Sequence, residues 1–284
     1  MSTVAAALAA ARTKLPASEA RLLLGHVLGR PAAWLLTHDD EVLDEAALLA
    51  FASRVARRAG GEPVAYLLGY REFFGREFAV SRAVLIPRPE TELLIEIALA
   101  RVMRSGIHAD GAGNAATSAA RILDLGTGSG CIAITLALEI PQAQVTAVDA
   151  SAAALEVAQD NAERLGAKLR LLQSHWFDRL ADERFDLIVT NPPYIADADP
   201  HLLAGDLRHE PATALSSGAD GLDAIRQIVD GASAHLAPGG QLWLEHGYDQ
   251  AVAVKELLAA AGLTGIEQYR DLAGIVRVSG GRRQ

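Results

Sequence analysis

No run of roughly eighteen consecutive apolar residues occurs in the 284-residue chain, so none of it is expected to cross a bilayer as a helix. The opening Met1-Ser2-Thr3-Val4, followed mostly by alanine, has no basic region ahead of an apolar one and reads as no signal peptide. Cysteine occurs once, at Cys131. A single thiol closes no internal disulfide and makes no thiolate metal site, so a reducing, cytoplasmic setting and a metal-free site are expected. Positive charge is also scarce. The net charge is −9, divided as +1 over residues 1–86 and −10 over the remainder. A groove for nucleic-acid phosphates needs local positive charge, so no stable nucleic-acid binding is expected. No repeat of about 20–50 residues is visible, which excludes a solenoid.

Half of the residues are apolar and 21% are charged, the composition of a globular chain with a sizeable core. At ~100–200 residues per domain, the length allows one large domain or two unequal ones. Residues 2–12, 18–29 and 41–58 are rich in Ala and Leu and read as helices. In the third, Leu48, Phe51 and Val55 share one face, Asp39, Asp40 and Glu41 precede it, and Arg54, Arg57 and Arg58 end it, matching the helix dipole. Arg54, Arg57 and Arg58 are read as a solvated helix end. Residues 73–80 and 84–86 suggest a hairpin. Pro87-Arg88-Pro89-Glu90 suggests a helix start, continuing to about residue 104. Residues 105–119 lack apolar periodicity and read as a loop.

From Arg121 onward, apolar strands (122–125, 145–148, 169–172, 187–189, 242–244, 275–278) alternate with helices (130–139, 151–165, 222–236, 249–261). Such alternation predicts an α/β fold with a mostly parallel sheet covered on both faces. The expected organisation is a helical domain over 1–72, a β-hairpin linker over 73–88 and a Rossmann-like domain over 89–284.

Two constellations carry chemistry. The strand Ile122-Leu123-Asp124-Leu125 runs into Gly126-Thr127-Gly128-Ser129-Gly130, and the next strand ends at Asp149. Glycines let the backbone approach a ligand closely, and a carboxylate at Asp149 suits two ribose hydroxyls. The spacing is Gly-x-Gly-x-Gly rather than the dinucleotide-binding Gly-x-Gly-x-x-Gly. Asp124 could hold the amino group of a methionine moiety, and Trp176, after the third strand, lies where an adenine ring would rest. The second constellation is Asn191-Pro192-Pro193-Tyr194, following the strand Asp186–Thr190. The edge where parallel strands end is where open α/β sheets bind ligands. An amide or aromatic amino nitrogen is a poor nucleophile because its lone pair is delocalised. Holding its NH₂ requires two acceptors, which the Asn191 side-chain oxygen and the Pro192 carbonyl supply. Pro192 and Pro193 add carbonyls without competing N–H donors, and Tyr194 can lie against a flat acceptor group.

The four-residue motif resembles that of the amino-methyltransferases acting on DNA adenine, ribosomal RNA guanine or protein glutamine. Longer stretches narrow the choice. Gly61-Glu62-Pro63-Val64-Ala65-Tyr66-Leu67-Leu68-Gly69, Phe73-Phe74-Gly75, Leu85-Ile86-Pro87-Arg88-Pro89-Glu90-Thr91-Glu92, Arg208-His209-Glu210-Pro211 with Ala214-Leu215, and Leu244-Glu245-His246-Gly247 are similar to the PrmC/HemK family. Its members methylate the glutamine of the Gly-Gly-Gln motif in class 1 peptide chain release factors. The resemblance spans nearly the whole chain. It implies a class I methyltransferase fold with a seven-stranded sheet. S-adenosylmethionine would be held by Asp124, Gly126, Thr127, Gly128, Ser129, Gly130, Asp149, Trp176 and Asn191. Asn191, Pro192, Pro193 and Tyr194 would hold the glutamine, with Asn191, Pro192 and Tyr194 catalytic. The helical domain would contact the release factor, and a monomer is expected. His175 departs from the pattern, since members often carry an acidic residue there to accept from the adenine amino group.

The alternative is a nucleic-acid amino-methyltransferase, acting on DNA adenine or ribosomal RNA guanine, which requires a basic groove. A nicotinamide-dependent oxidoreductase accounts for Gly126–Gly130 and Asp149 but gives Asn191–Tyr194 no role. A non-catalytic module predicts cofactor binding without turnover. His246 is read as structural, while Glu90 and Glu92 suit facing the active site and starting the helix equally well.

Overall fold

The computed structural model describes residues 2–104 and 119–284. The loop expected over 105–119 lies, apart from Ala119, outside the described residues. The chain forms two compact units: Met1–Tyr70 with Ala204–His209, and Arg71–Leu203 with Glu210–Gln284.

The first unit is helical. Its elements are β1 (Ser2–Thr3), α1 (Val4–Ala11), α2 (Ala17–Leu28), α3 (Ala32–Thr37), β2 (Val42–Leu43), α4 (Glu45–Ala59) and α5 (Val64–Leu68), with β1 and β2 paired antiparallel. Helix α4 begins at residue 45 rather than 41 because Asp44 caps it, accepting from the Ala47 N–H at 2.6 Å. Apolar residues spaced along each helix meet in one core that includes Leu8, Leu23, Leu24, Leu35, Phe51 and Val55. The arginines ending α4 are not simply solvated. Arg57 forms a two-pronged pair with Glu62 (2.7 and 2.7 Å), and Arg58 pairs with Glu19 (2.8 Å) and Asp206 (2.6 Å). The 204–209 segment is also held by Arg208, which donates to the Gly60 carbonyl at 2.6 Å. Helices α3 and α5 escape a periodicity reading because they are short. Each starts after a proline, Pro31 and Pro63.

The hairpin pairs β3 (Tyr70–Phe73) with β4 (Arg76–Ala79). Its turn is Phe74-Gly75, both at positive φ (50° and 72°), as a two-residue type I′ turn requires. Residues 84–86 are therefore not its second strand. The strained Phe74 is held by Glu92, whose carboxylate accepts the Phe74 N–H at 2.9 Å.

The second unit continues with a 3₁₀ turn at Pro89–Thr91, then α6 (Glu92–Arg104), β5 (Arg121–Leu125), α7 (Cys131–Glu139), β6 (Gln144–Asp149), α8 (Ala152–Leu165), β7 (Arg170–Gln173), β8 (Phe185–Thr190), α9 (Asp223–His235), β9 (Leu236–Glu245), α10 (Ala251–Ala260), β10 (Thr264–Arg270) and β11 (Val276–Arg282). Seven strands form one sheet in the order β10-β11-β9-β8-β5-β6-β7. Strands β9, β8, β5, β6 and β7 are parallel, and β11 is antiparallel to β9 and β10. Strand alternation sorts side chains between two cores. Ile122, Leu187, Val189 and Trp243 pack with α6 and α7, while Leu123, Ile188, Leu242 and Leu244 pack with α9 and α10. With both faces covered, the parallel strands are apolar nearly throughout.

Candidate active site

Strand β5 lies between β6 and β8, and Leu125 is level with both Val148 and Thr190. The residues that follow these three positions, Gly126, Asp149 and Asn191, therefore emerge together at one edge of the sheet. From β5 the chain moves one way to β6 and β7 and the other way to β8 and β9, so this edge is a topological switch point. A cavity of about 580 Å³ opens there, within the usual size of a small-molecule site.

The glycine turn is built for close approach. Gly126, Gly128 and Gly130 have φ of 70°, 55° and 82°, a region that side chains strain to enter. A Cβ on Gly126 would stand 3.4 Å from the Trp176 ring, and one on Gly130 only 2.7 Å from Ile134 Cδ1. The first glycine thus leaves room at the cavity and the third permits helix packing. Asp149 accepts the Gly128 N–H and the Ser151 N–H, each at 2.9 Å, so its carboxylate also shapes the turn. Burial raises its pKa. Trp176 sits at positive φ (42°) and lines the cavity, its carbonyl accepting from the Ser174 hydroxyl at 3.1 Å. His175, beside it, is exposed and also lines the cavity.

Of the residues expected at the cofactor, Gly126, Gly128, Asp149, Trp176 and Asn191 line the cavity. Thr127, Ser129 and Gly130 are buried in or behind the turn. Asp124 is fully buried, with one oxygen accepting from the Thr127 hydroxyl (2.7 Å) and the Ala133 N–H (3.2 Å). Its other oxygen has no partner among the described residues. Burial pushes this carboxyl up to about 7. An under-satisfied buried acid behind a glycine cradle, an acceptor carboxylate and a flat aromatic together fit an adenosyl group bearing an ammonium.

The motif after β8 is anchored from below. The Thr190 hydroxyl donates to the Leu125 carbonyl at 2.8 Å. Asn191 donates from Nδ2 to Thr91 Oγ1 at 3.0 Å, while its Oδ1 is shielded from water and has no partner among the described residues. The Thr91 hydroxyl donates to Glu245 Oε2 at 2.7 Å, and the Tyr194 hydroxyl donates to Glu245 Oε1 at 3.2 Å. Gln250 holds the Tyr194 carbonyl at 2.9 Å. Pro193 lines the cavity and Pro192 is buried. Burial, then the neighbouring Glu245, raises the Tyr194 pKa, so the ring stays a neutral phenol. Glu245 is buried and raised to about 7.

Sequence reasoning left several residues here without a role. Glu210, buried, accepts from the Ile86 N–H (3.1 Å) and from Arg88 (2.5 Å), fixing the strap whose Arg82–Leu85 portion forms a cavity wall. Glu245 carried one readable signal, an acid ending the apolar strand Leu242-Trp243-Leu244. His246 is held by the Gly247 carbonyl (2.9 Å) and the Ser279 hydroxyl (2.8 Å), consistent with a structural role. Among the described residues, no cluster of His, Cys, Asp and Glu could hold a metal ion, and no helix is long and apolar enough to cross a membrane.

Comparison with known proteins agrees along the chain. The PrmC N-terminal domain family matches residues 1–69, and the Methyltransferase small domain family matches residues 113–220. A release factor glutamine methyltransferase of Bordetella pertussis is 53% identical over 94% of this chain and 95% of its own. One of Xylella fastidiosa is 50% identical over 98% and 97%. Among solved structures, a methyltransferase from Pyrococcus furiosus has a TM-score of 0.53 at 18% identity, covering 82% of this chain and 98% of that one. A T. thermophilus 16S rRNA N2 G1207 methyltransferase, in complex with AdoMet and guanosine, has a TM-score of 0.52 at 22% identity, covering 76% of this chain and 50% of that one. The structural likeness shows the class I methyltransferase fold, and the sequence likeness goes further: this chain belongs to the family of release factor glutamine methyltransferases.

Proposed function

We propose that this protein transfers the methyl group of S-adenosylmethionine to the side-chain amide nitrogen (N5) of the glutamine in the Gly-Gly-Gln motif of class 1 release factors. The observation that carries the site assignment is Asn191. Its amide NH₂ is committed to Thr91, its oxygen is buried and unpaired among the described residues, and the residue lines the cavity. A buried acceptor without a partner is costly, and an incoming NH₂ group satisfies it.

The sulfonium of S-adenosylmethionine supplies an electrophilic methyl group. Asp149 would accept from the ribose hydroxyls, Trp176 would lie along the adenine, and Asp124 would receive the ammonium through the glycine turn. Gly126, Thr127, Gly128, Ser129 and Gly130 form the cradle. Asn191 Oδ1 and the Pro192 carbonyl each accept one hydrogen of the substrate amide, turning its nitrogen toward the methyl group. Pro193 stiffens the loop, and the Tyr194 ring covers the flat amide and excludes water. The N–C bond forms as the S–C bond breaks, S-adenosylhomocysteine is the leaving group, and the methylated nitrogen gives one proton to solvent water as the product departs. Tyr194, held as a neutral phenol, is not the base. Catalysis is orientation together with electrostatic stabilisation. Residues 1–72 serve as the release-factor-binding domain, residues 73–88 as a hairpin linker and residues 89–284 as the methyltransferase domain.

Asn191→Ala tests the site. Methyl transfer is expected to fall below detection while the thermal midpoint stays near wild type. Turnover near the wild-type rate contradicts the assignment.

A further inference from the structure

The Asn191 amide is nearly symmetric in shape, and rotating it by half a turn exchanges its oxygen for its NH₂ group. Only one orientation suits a substrate that arrives with its own NH₂ group. The other sets donors against donors. Something must therefore choose between them, and the hydrogen-bond directions beneath the motif do so.

Ionised Glu245 is an acceptor only. It receives the Thr91 hydroxyl on one oxygen (2.7 Å) and the Tyr194 hydroxyl on the other (3.2 Å). Threonine has a single hydroxyl proton. Once that proton is given to Glu245, Thr91 Oγ1 can only accept from Asn191, so the NH₂ group faces Thr91 at 3.0 Å and the oxygen is left for the substrate. Thr91 and Glu245 are both buried (2% and 1% exposed), so water does not compete for these bonds. Burying a carboxylate is expensive, and neither residue lines the cavity. We infer that Thr91 and Glu245 are positioning residues that set the orientation of the Asn191 amide and tether Tyr194. This inference rests on the role assigned to Asn191 above.

The groups facing Glu245 give the arrangement a pH dependence. Burial raises its pKa to about 7, Thr91 and Tyr194 oppose that through hydrogen bonds, Glu90 adds to it and Arg277 subtracts. Arg277 is itself paired with Asp271 at 3.1 Å. Protonated Glu245 gains one O–H donor and keeps one accepting oxygen; with the proton on Oε2 it donates to Thr91, whose own proton is then free for Asn191 Oδ1 once the amide turns. Turnover should therefore fall as pH drops through about 7.

The test compares full-length Thr91→Val, Thr91→Ser and Glu245→Gln with wild type in methyl transfer to a purified release factor. Thr91→Val should lower kcat about tenfold, the effect of losing one orienting hydrogen bond. The KM for the release factor and the Kd for S-adenosylmethionine should stay within about twofold. Thr91→Ser should restore most of the rate, and Glu245→Gln should lose the limb of the kcat profile near pH 7. Wild-type kcat in Thr91→Val, or an unaltered pH limb in Glu245→Gln, overturns the inference. Asn191→Ala separates the two levels: if it is inactive while Thr91→Val is unimpaired, only the positioning role fails, and if it turns over normally, the role of Asn191 fails as well.

Discussion

Replacing Asp149 with alanine removes two things at once. Its carboxylate accepts the Gly128 and Ser151 N–H groups at 2.9 Å each, so it holds the glycine turn in its ligand-ready shape. It is also the acceptor assigned to the ribose hydroxyls. Asp149 is only partly buried and Ser151 is exposed, so water replaces part of the lost bonding and the fold should lose little stability. The cofactor loses a charge-assisted acceptor, a contribution of ~1.5–3 kcal/mol. At ~1.4 kcal/mol per tenfold, the Kd for S-adenosylmethionine should rise by about ten- to a hundredfold. Asp149→Asn, which keeps one oxygen and turns the other into a donor, should fall between. Isothermal titration calorimetry at pH 8 measures both, with thermal melts to verify folding. An unchanged Kd in a folded Asp149→Ala protein refutes the ribose contact.

Two further outcomes follow from buried polar groups. Asn161 is fully buried and binds both polar backbone groups of Ala79 (2.7 and 3.0 Å) and the Ser129 carbonyl (2.9 Å), joining β4 to the glycine turn. Asn161→Ala leaves all three unpaired and should cost about 3–5 kcal/mol in denaturant unfolding; a loss under about 1 kcal/mol contradicts that bracing role. Asp124 is raised to about 7, chiefly by burial, above its unfolded value. The folded protein then holds a proton the unfolded chain has lost, so this group's stabilisation is complete below about pH 4 and disappears as pH rises through about 7. Ligand-free Asp124→Asn should accordingly gain stability relative to wild type between pH 5 and pH 8, and a difference that does not change with pH contradicts the raised pKa.

The parts of this molecule legible in its sequence are those written in short-range patterns. The β5 strand, its glycine turn and α7 are contiguous, and the spacing of Gly126, Gly128 and Gly130 announces the turn. Strand β10 is not legible because it lies at the sheet edge. Its alternating residues include Thr264, Glu267 and Gln268, which give no apolar run. The hairpin turn at Phe74-Gly75, inside the span 73–80 that reads as one strand, is hidden because Phe74, a bulky residue, occupies the left-handed region that glycine normally marks. The support beneath Asn191 was invisible for a different reason. Thr91 lies 100 positions from Asn191 and 154 from Glu245, and only the parallel order of β5, β8 and β9, with α6 packed on them, brings the three together. Motif resemblance marked the stretches that contain Thr91 and Glu245 without saying what they do.

The most direct measurement offers radiolabelled S-adenosylmethionine and the purified protein four acceptors in parallel: a class 1 release factor, its Gly-Gly-Gln variant with Gln→Ala, duplex DNA and ribosomal RNA. Label in the intact release factor alone is the predicted result. Label in the Gln→Ala variant, or in either nucleic acid, contradicts glutamine methylation at this site.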